Sequence, residues 1–327
     1  MSLADLAAAA NRCIGRHVGE PSPATLPPRS PLSIFVCRVS LPAGCLPPPG
    51  RLPFRIGAGA ALEPWRARDL CLLEGIERFS AQFREGDPRV QPAIALPGCR
   101  KVVLPAARLR LGHPEPQDGP VDSRGCAAGE TLEDAAARGV LELVEHDALA
   151  AWHQDAAIFE GLAAEGLSAE LDTLCAWLSA KELRLQLGRF RHRSGAVVHL
   201  CICCDQAGRR PASGSAADID PCHSALRACV ESVVAWFNFD AIRRNGTPVE
   251  ALAGEDRRAF ECYLGLASAP GFLTKRTPDG DAKAVVSAGT PQSALAELVA
   301  NWGADIAIFE LTRAETGIAV ARAVRLD

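Results

Sequence analysis

Apolar and polar positions fall into blocks with distinct periods along this chain. The run SIFVCRVSL, Ser33 to Leu41, is rich in β-branched and apolar residues and predicts a strand. Leu183 to Asp205 reads as a hairpin, LRLQLGRF and VVHLCICC, around the turn residues Arg193-Ser194-Gly195. Thr131-Leu-Glu-Asp134 has capping-box form, with Asp replacing the usual Glu or Gln, and opens a helix to about Trp152. Thr290-Pro291 starts a further helix to Asn301, which Gly303 stops. A strand from Asp305 to Leu311, a turn at Gly317 and a last strand from Ile318 to Arg325 follow. This order predicts an α/β chain of mixed (α+β) character with substantial antiparallel pairing.

The ends of the pattern are less regular. Residues 1–31 begin Ala-rich, with a short helix over Leu3 to Arg12, and turn Pro-rich. They are expected to form a flexible lead-in to one domain over 32–327. Residues 42–53 form a Pro/Gly loop.

A weak internal repeat runs through the chain. Three times a Gly-containing loop leads into an Ala/Leu-rich helix carrying a glutamate. The three are Gly57-Ala58-Gly59 before Glu74, Gly125 to Gly129 before Glu142, and Gly214 before Glu231. The period is too irregular for a solenoid and suggests related helices around one cleft. In LCLLEGIER and RGVLELVEH, Glu74 with Glu77 and Glu142 with Glu145 stand three apart, on one helix face. Like charges at that spacing repel unless a cation meets them, and carboxylates plus phosphate oxygens suit Mg²⁺. A single ExxE is ordinarily a solvated helix face. Two matched pairs behind Gly-rich loops favour a site.

Composition narrows the classes. The chain has 327 residues, 48% hydrophobic and 23% charged, the balance of a globular protein. Its net charge of -4, the lack of a Lys/Arg run and the 5% aromatic content argue against nucleic-acid binding. No apolar run reaches the ~20 residues of a membrane span, and the amino terminus lacks the form of a secretion signal. The 13 cysteines are scattered through apolar stretches, which points to a reduced, cytoplasmic protein.

Other chemistry is weakly supported. Neither GxxxxGK[ST] nor a complete dinucleotide glycine loop occurs. His199, Cys201 and Cys203 alternate on a strand, and Cys201-x-x-Cys204 stands without a second pair, so core packing outranks zinc. Ser213-Gly214-Ser215 is not a nucleophile elbow. An unrelated metal-binding hydrolase with Glu and His ligands is a further, weaker reading.

The stretch DSRGCAAGETLEDAAARGVLELVEHDALAAW, Asp122 to Trp152, resembles the signature of YcaO-domain proteins. Residues 57–83, 214–231 and 289–325 resemble further motifs of that family in the same order, so the resemblance covers roughly Leu32 to Asp327. It implies a YcaO-like fold of mixed sheets and helices around a central ATP/Mg²⁺ cleft. It also implies ATP- and Mg²⁺-dependent modification of peptide backbone amides in the biosynthesis of ribosomal peptides such as thiazole/oxazole-modified bacteriocins. In the best-known branch a Cys, Ser or Thr side chain attacks the preceding carbonyl; a thioamide-forming branch also exists. Matched motif by motif, Glu74, Glu77, Glu142, Glu145 and Glu231 are the implied Mg²⁺-phosphate ligands. Ser123 is an implied phosphate contact and Arg78 a charge partner; no catalytic residue is assigned. A precursor peptide, a leader-peptide-binding partner protein, a dehydrogenase and a homodimer are the implied associations.

Departures from the motifs are Ala58 where a basic residue is common, His146 in place of arginine and Val234 in place of glutamine. Relative to the family the chain also reads as truncated after Asp327. A degenerate, non-catalytic YcaO-like protein that binds a partner or precursor peptide is therefore the alternative.

Overall fold

The computed structural model describes residues 3–41, 55–114, 121–154, 159–252, 254–267 and 291–326. The expected Pro/Gly loop at 42–53 and Thr290 lie outside the described residues. The chain runs through α1 (Leu3–Arg12), β1 (Ser22–Pro23), β2 (Ser33–Val39) and β3 (Arg55–Ala61) into α2 (Pro64–Ala81). Next come β4 (Val90–Leu96), β5 (Arg100–Pro105), β6 (Cys126–Gly129) and the long α3 (Leu132–His153). β7 (Glu160–Leu162), α4 (Ala169–Ser179), β8 (Leu183–Arg191), β9 (Val197–Asp205) and β10 (Ala212–Asp218) follow. The remaining elements are α5 (Pro221–Arg244), α6 (Gly254–Tyr263), α7 (Pro291–Trp302), β11 (Ile306–Glu310) and β12 (Ala319–Arg325).

Three antiparallel sheets result, ordered β1-β2-β3, β10-β9-β8-β7 and β5-β4-β11-β12-β6. The expected hairpin is β8–β9, with Leu183 opposite Asp205 and Gly195 at φ 92° in the turn. The mixed α/β expectation and the antiparallel pairing both hold. β3, β6 and β10, which carry the three glycine motifs, each end their sheet.

The described chain packs as two compact units. One contains Met1–Thr25, Ser33–Leu143 and Val286–Asp327; the other contains Leu26–Leu32 and Val144–Val285. In the first, the core gathers Leu72, Ile76 and Phe79 of α2 with Val39, Ala307, Phe309, Leu311, Ile318 and Val320. The amino-terminal stretch corrects the expectation of a flexible lead-in. Leu6, Ala9, Ala10 and Cys13 are buried in that core, and β1 pairs with β2. An Ala-rich face permits this close seating, because small side chains let α1 approach α2.

In the second unit, α5 packs on β9 and β10. Every residue of β9 from Val197 to Cys204 is buried, including His199, Cys201, Cys203 and Cys204. His199 accepts or donates a 2.8 Å hydrogen bond with the Ser224 hydroxyl. Burial holds its imidazole neutral, with a pKa near 4. These residues are core, as their apolar neighbours predict. The cysteines among the described residues are all free thiols.

Helix starts follow their local chemistry. The Asp220 side chain caps α5 by accepting from the N–H groups of Cys222 and His223, with Pro221 in the first turn. At α3, the Thr131 hydroxyl accepts from Asp134 N–H at 3.2 Å, while the Asp134 carboxylate accepts from Glu130 N–H at 3.1 Å. The Asp134 carboxylate thus meets the N–H of the residue before the N-cap instead of the N-cap's own N–H.

Candidate functional site

The three glycine motifs share one local device. Each places an edge strand against the helix that follows it, and a strand N–H donates to a glutamate on that helix. Ala58 N–H donates to Glu74 Oε2 at 2.6 Å, and Gly125 N–H, just before β6, to Glu142 Oε2 at 3.1 Å. Ser215 N–H donates to Glu231 Oε2 at 3.2 Å. A charge-assisted bond of this kind orients a carboxylate and satisfies a donor that the open sheet edge leaves unpaired.

Glycine is what makes the strands approach closely enough. A Cβ on Gly59 would lie 2.2 Å from the Ala67 carbonyl oxygen and 2.3 Å from Cys71 N, both helix backbone atoms of α2. One on Gly214 would lie 2.3 Å from Ser232 N of α5. The room these glycines leave is filled by the protein's own helices. In the first motif thiols complete the seam: Cys71 donates to Gly57 O, and Cys37 to Cys71 O, both at 3.5 Å.

In the first unit the charges of Glu142 and Glu74 act on Glu77. Burial raises the Glu77 carboxyl well above the ordinary glutamate range, and the negative charges of Glu142 and Glu74 add to it; Arg78 and Arg322 oppose the rise. Glu77 as a residue keeps some exposure, although its carboxyl is desolvated. These agree if the charge lies in a narrow recess. No hydrogen bond or ion pair reaches that carboxylate among the described residues. Arg78, the expected charge partner, forms an i,i+4 ion pair with Glu74.

In the second unit Glu145 Oε1 accepts from the Ser215 hydroxyl at 2.5 Å. Ser215 thereby holds two of the expected glutamates, Glu145 through its side chain and Glu231 through its backbone. Ser123, the expected phosphate contact, lies in the turn before β6, where its carbonyl accepts from Cys126 N–H at 3.0 Å.

Sequence reasoning missed two residues. Ser215 was weighed only as a nucleophile; its position after the third glycine is the signal that links it to Ala58. Arg322 lies in the last resembling segment, 289–325, where its position two residues after Val320 was the available signal. Its buried guanidinium donates to Leu109 O at 3.0 Å and Asp122 O at 2.9 Å, and its charge acts on Glu77 and Cys126.

The donors of the first unit, Glu74, Glu77 and Glu142, are hard oxygens, and among the described residues the Glu77 carboxylate has no hydrogen-bond partner. Such a set fits Mg²⁺ and the phosphates it carries better than zinc. Among the described residues no group of three or more His, Cys, Asp or Glu stands ready-formed around a metal.

Fold and site together define a class of mixed α/β proteins in which edge strands aim glutamates from the following helices. The family profile for "YcaO cyclodehydratase, ATP- and Mg2+-binding" matches residues 89–325, and the chain belongs to that family, whose cofactors are ATP and Mg²⁺. The fold is shared with a solved heterocyclase in complex with substrate and cofactor, at TM-score 0.75 and 17% identity. That match covers 94% of this chain and 49% of the other, so this chain spans about half the heterocyclase's length. The YcaO protein of Methanopyrus kandleri bound with AMPPCP and Mg2+ has TM-score 0.72 and 20% identity, covering 98% of this chain and 89% of that one. The E. coli microcin synthetase McbBCD complex has TM-score 0.59 and 11% identity, over 93% of this chain and 87% of that one. No curated protein matches. No helix among the described residues is long and apolar enough to cross a membrane.

Proposed function

We propose that this chain activates peptide backbone amides in an ATP- and Mg²⁺-dependent reaction, with azoline-forming cyclodehydration of Cys, Ser or Thr in a ribosomal precursor peptide as its chemistry. One observation carries the reading: the same strand-to-glutamate anchor occurs three times, and the charges of two of the anchored carboxylates, Glu74 and Glu142, act on the buried carboxyl of Glu77.

In this reading Glu74, Glu77, Glu142, Glu145 and Glu231 hold Mg²⁺ and Ser123 contacts phosphate. Bound Mg²⁺ supplies electrostatic stabilisation of the transferring phosphoryl group. The chain's own part is positional. The N–H groups of Ala58, Gly125 and Ser215 fix one oxygen of Glu74, Glu142 and Glu231, so these carboxylates need little reorganisation when cations arrive. Arg78 and Arg322 offset part of the crowded negative charge before then. The peptide's nucleophilic side chain attacks the preceding carbonyl carbon. That attack closes the ring and releases the S–H or O–H proton. The former carbonyl oxygen then takes the γ-phosphoryl group, releasing ADP, and leaves as phosphate while the amide nitrogen loses its proton and forms the C=N bond.

The departures bear on this reading unequally. Ala58 acts through its backbone N–H, which is independent of side chain, so loss of a basic residue there leaves the Glu74 anchor intact. Val234 is different: a half-buried valine offers no oxygen or nitrogen donor. It favours the second reading, a non-catalytic member that binds a precursor peptide or partner. A leader-peptide-binding partner and a dehydrogenase belong to the first reading. It is supported by the solved microcin synthetase complex with pro-MccB17 bound, which has the same fold. A cytoplasmic location fits the free thiols.

The test is calorimetric titration with Mg²⁺ and AMPPCP, followed by incubation with ATP and a Cys/Ser/Thr-rich precursor. Binding, plus loss of one water per ring by mass spectrometry, is the expected result. Binding without ring formation, or absence of nucleotide binding, removes the enzymatic reading and leaves the non-catalytic one.

A further inference from the structure

Ser215 is the point where two acidic side chains of the second unit meet one residue. Its hydroxyl donates to Glu145 Oε1 at 2.5 Å and its N–H to Glu231 Oε2 at 3.2 Å. It sits on β10, opposite Leu200 of β9, and directly follows Gly214. Close seating of Gly214 against Ala228 and Ser232 fixes the height of this strand on α5, and hence where the Ser215 hydroxyl lies. No hydrogen bond to the second carboxylate oxygen of Glu145 is present among the described residues. The short bond to one oxygen fixes the orientation of the carboxylate.

The other two motifs do not have this feature. Ala58 and Gly125 anchor their glutamates with backbone N–H groups but have no side-chain donor. A backbone N–H survives any substitution except proline, whereas a hydroxyl is specific to the side chain. The third motif thus contains a positioning element that can be removed without disturbing the anchor it shares with the others.

We propose that Ser215 is a positioning residue for the cation-binding glutamates. Its hydroxyl sets the orientation of Glu145 while its N–H holds Glu231, so that both carboxylates are presented from one strand position. The proposal rests on the function proposed above and adds a residue to it. It makes Ser215 neither a nucleophile nor a direct metal ligand.

The experiment compares wild type, Ser215→Ala, Ser215→Thr and Glu145→Gln in the full chain. Binding of Mg²⁺ with AMPPCP is measured by calorimetry and unfolding is measured in EDTA. Ser215→Ala keeps the N–H bond to Glu231 and loses only the hydroxyl. It is expected to unfold with the wild type in EDTA while its affinity for Mg²⁺-AMPPCP falls about tenfold, the scale of one charge-assisted hydrogen bond. Ser215→Thr restores affinity, because threonine retains the hydroxyl and suits a strand. In the Glu145→Gln background, Ser215→Ala is expected to cost much less, since the two act as a unit. Equal affinity in wild type and Ser215→Ala overturns the positioning role while leaving the proposed function standing. A full tenfold loss that persists in the Glu145→Gln background also overturns it. Absence of binding in the wild type removes the proposed function, and this inference with it.

Discussion

Gly59→Ala tests the idea that glycine in the first motif serves strand-on-helix contact. The new Cβ would stand 2.2 Å from the Ala67 carbonyl oxygen and 2.3 Å from Cys71 N. Both atoms belong to the hydrogen-bonded backbone of α2, which cannot rotate away as a side chain can. Restoring ordinary contact needs a separation of about 1 Å between β3 and α2. Overpacking of this type costs roughly 1–3 kcal/mol. The same movement stretches the 2.6 Å bond from Ala58 N–H to Glu74, which is half-exposed and so adds only about 1 kcal/mol. A total of about 3 kcal/mol corresponds to a fall in Tm on the order of 6–10 °C. Gly98→Ala is the control, since a Cβ there meets nothing within 4 Å, and its change should stay within about 0.5 kcal/mol. Thermal and urea unfolding in EDTA, followed by Mg²⁺-AMPPCP titration, give both readouts. A Gly59→Ala protein as stable as Gly98→Ala, yet unable to bind nucleotide, would refute the packing argument and return this glycine to a phosphate-contact role.

Three further outcomes follow from the same geometry. Glu142→Gln keeps an oxygen able to accept from Gly125 N–H, so it should abolish ATP hydrolysis with little change in Tm; unchanged turnover sinks the ligand assignment. Asp87→Asn weakens the half-buried charge network in which Arg313 donates two bonds to Asp87 at 2.6 and 2.8 Å, and should cost about 3 kcal/mol by urea unfolding. Burial pushes the Asp87 carboxyl up, but the Arg313 bonds and the charges of Arg110 and Arg313 bring it below the ordinary aspartate value. Its stabilisation is therefore full above the unfolded pKa and lost as pH falls through the lower folded one; Asp87→Asn should flatten the acid limb of the stability profile, and an unaltered limb refutes the account. Glu77 has the opposite sign: its raised pKa makes the metal-free fold lose stability as pH rises above the unfolded glutamate value. Glu77→Gln should then raise the Tm in EDTA at pH 8 and remove the gain on adding Mg²⁺-AMPPCP; a lower Tm there counts against the crowding of charge.

Much of the architecture could be read from local signals. Apolar, β-branched runs bounded by turn residues marked β2, β8, β9, β11 and β12, and cap residues marked α3 and α7, because strand propensity and helix termini depend on near neighbours in the chain. The glutamates were visible for the same reason: spacing on one helix is a local fact. The burial of the Ala-rich amino terminus was not visible, since low apolar bulk looks like a tail until a partner helix is close enough to need small residues.

What the sequence determined by itself was which residues share a helix face, where strands and helices begin, and that the acidic pairs needed a counter-charge. The tertiary structure alone decided that β3, β6 and β10 are edge strands, so that their free N–H groups reach Glu74, Glu142 and Glu231. It also brought Ser215 to Glu145, 70 positions away in the chain, and Arg322 to the surroundings of Glu77. Sheet order and long-range charge contacts arise from burying apolar surface across the whole chain, and no short window of sequence contains that energy.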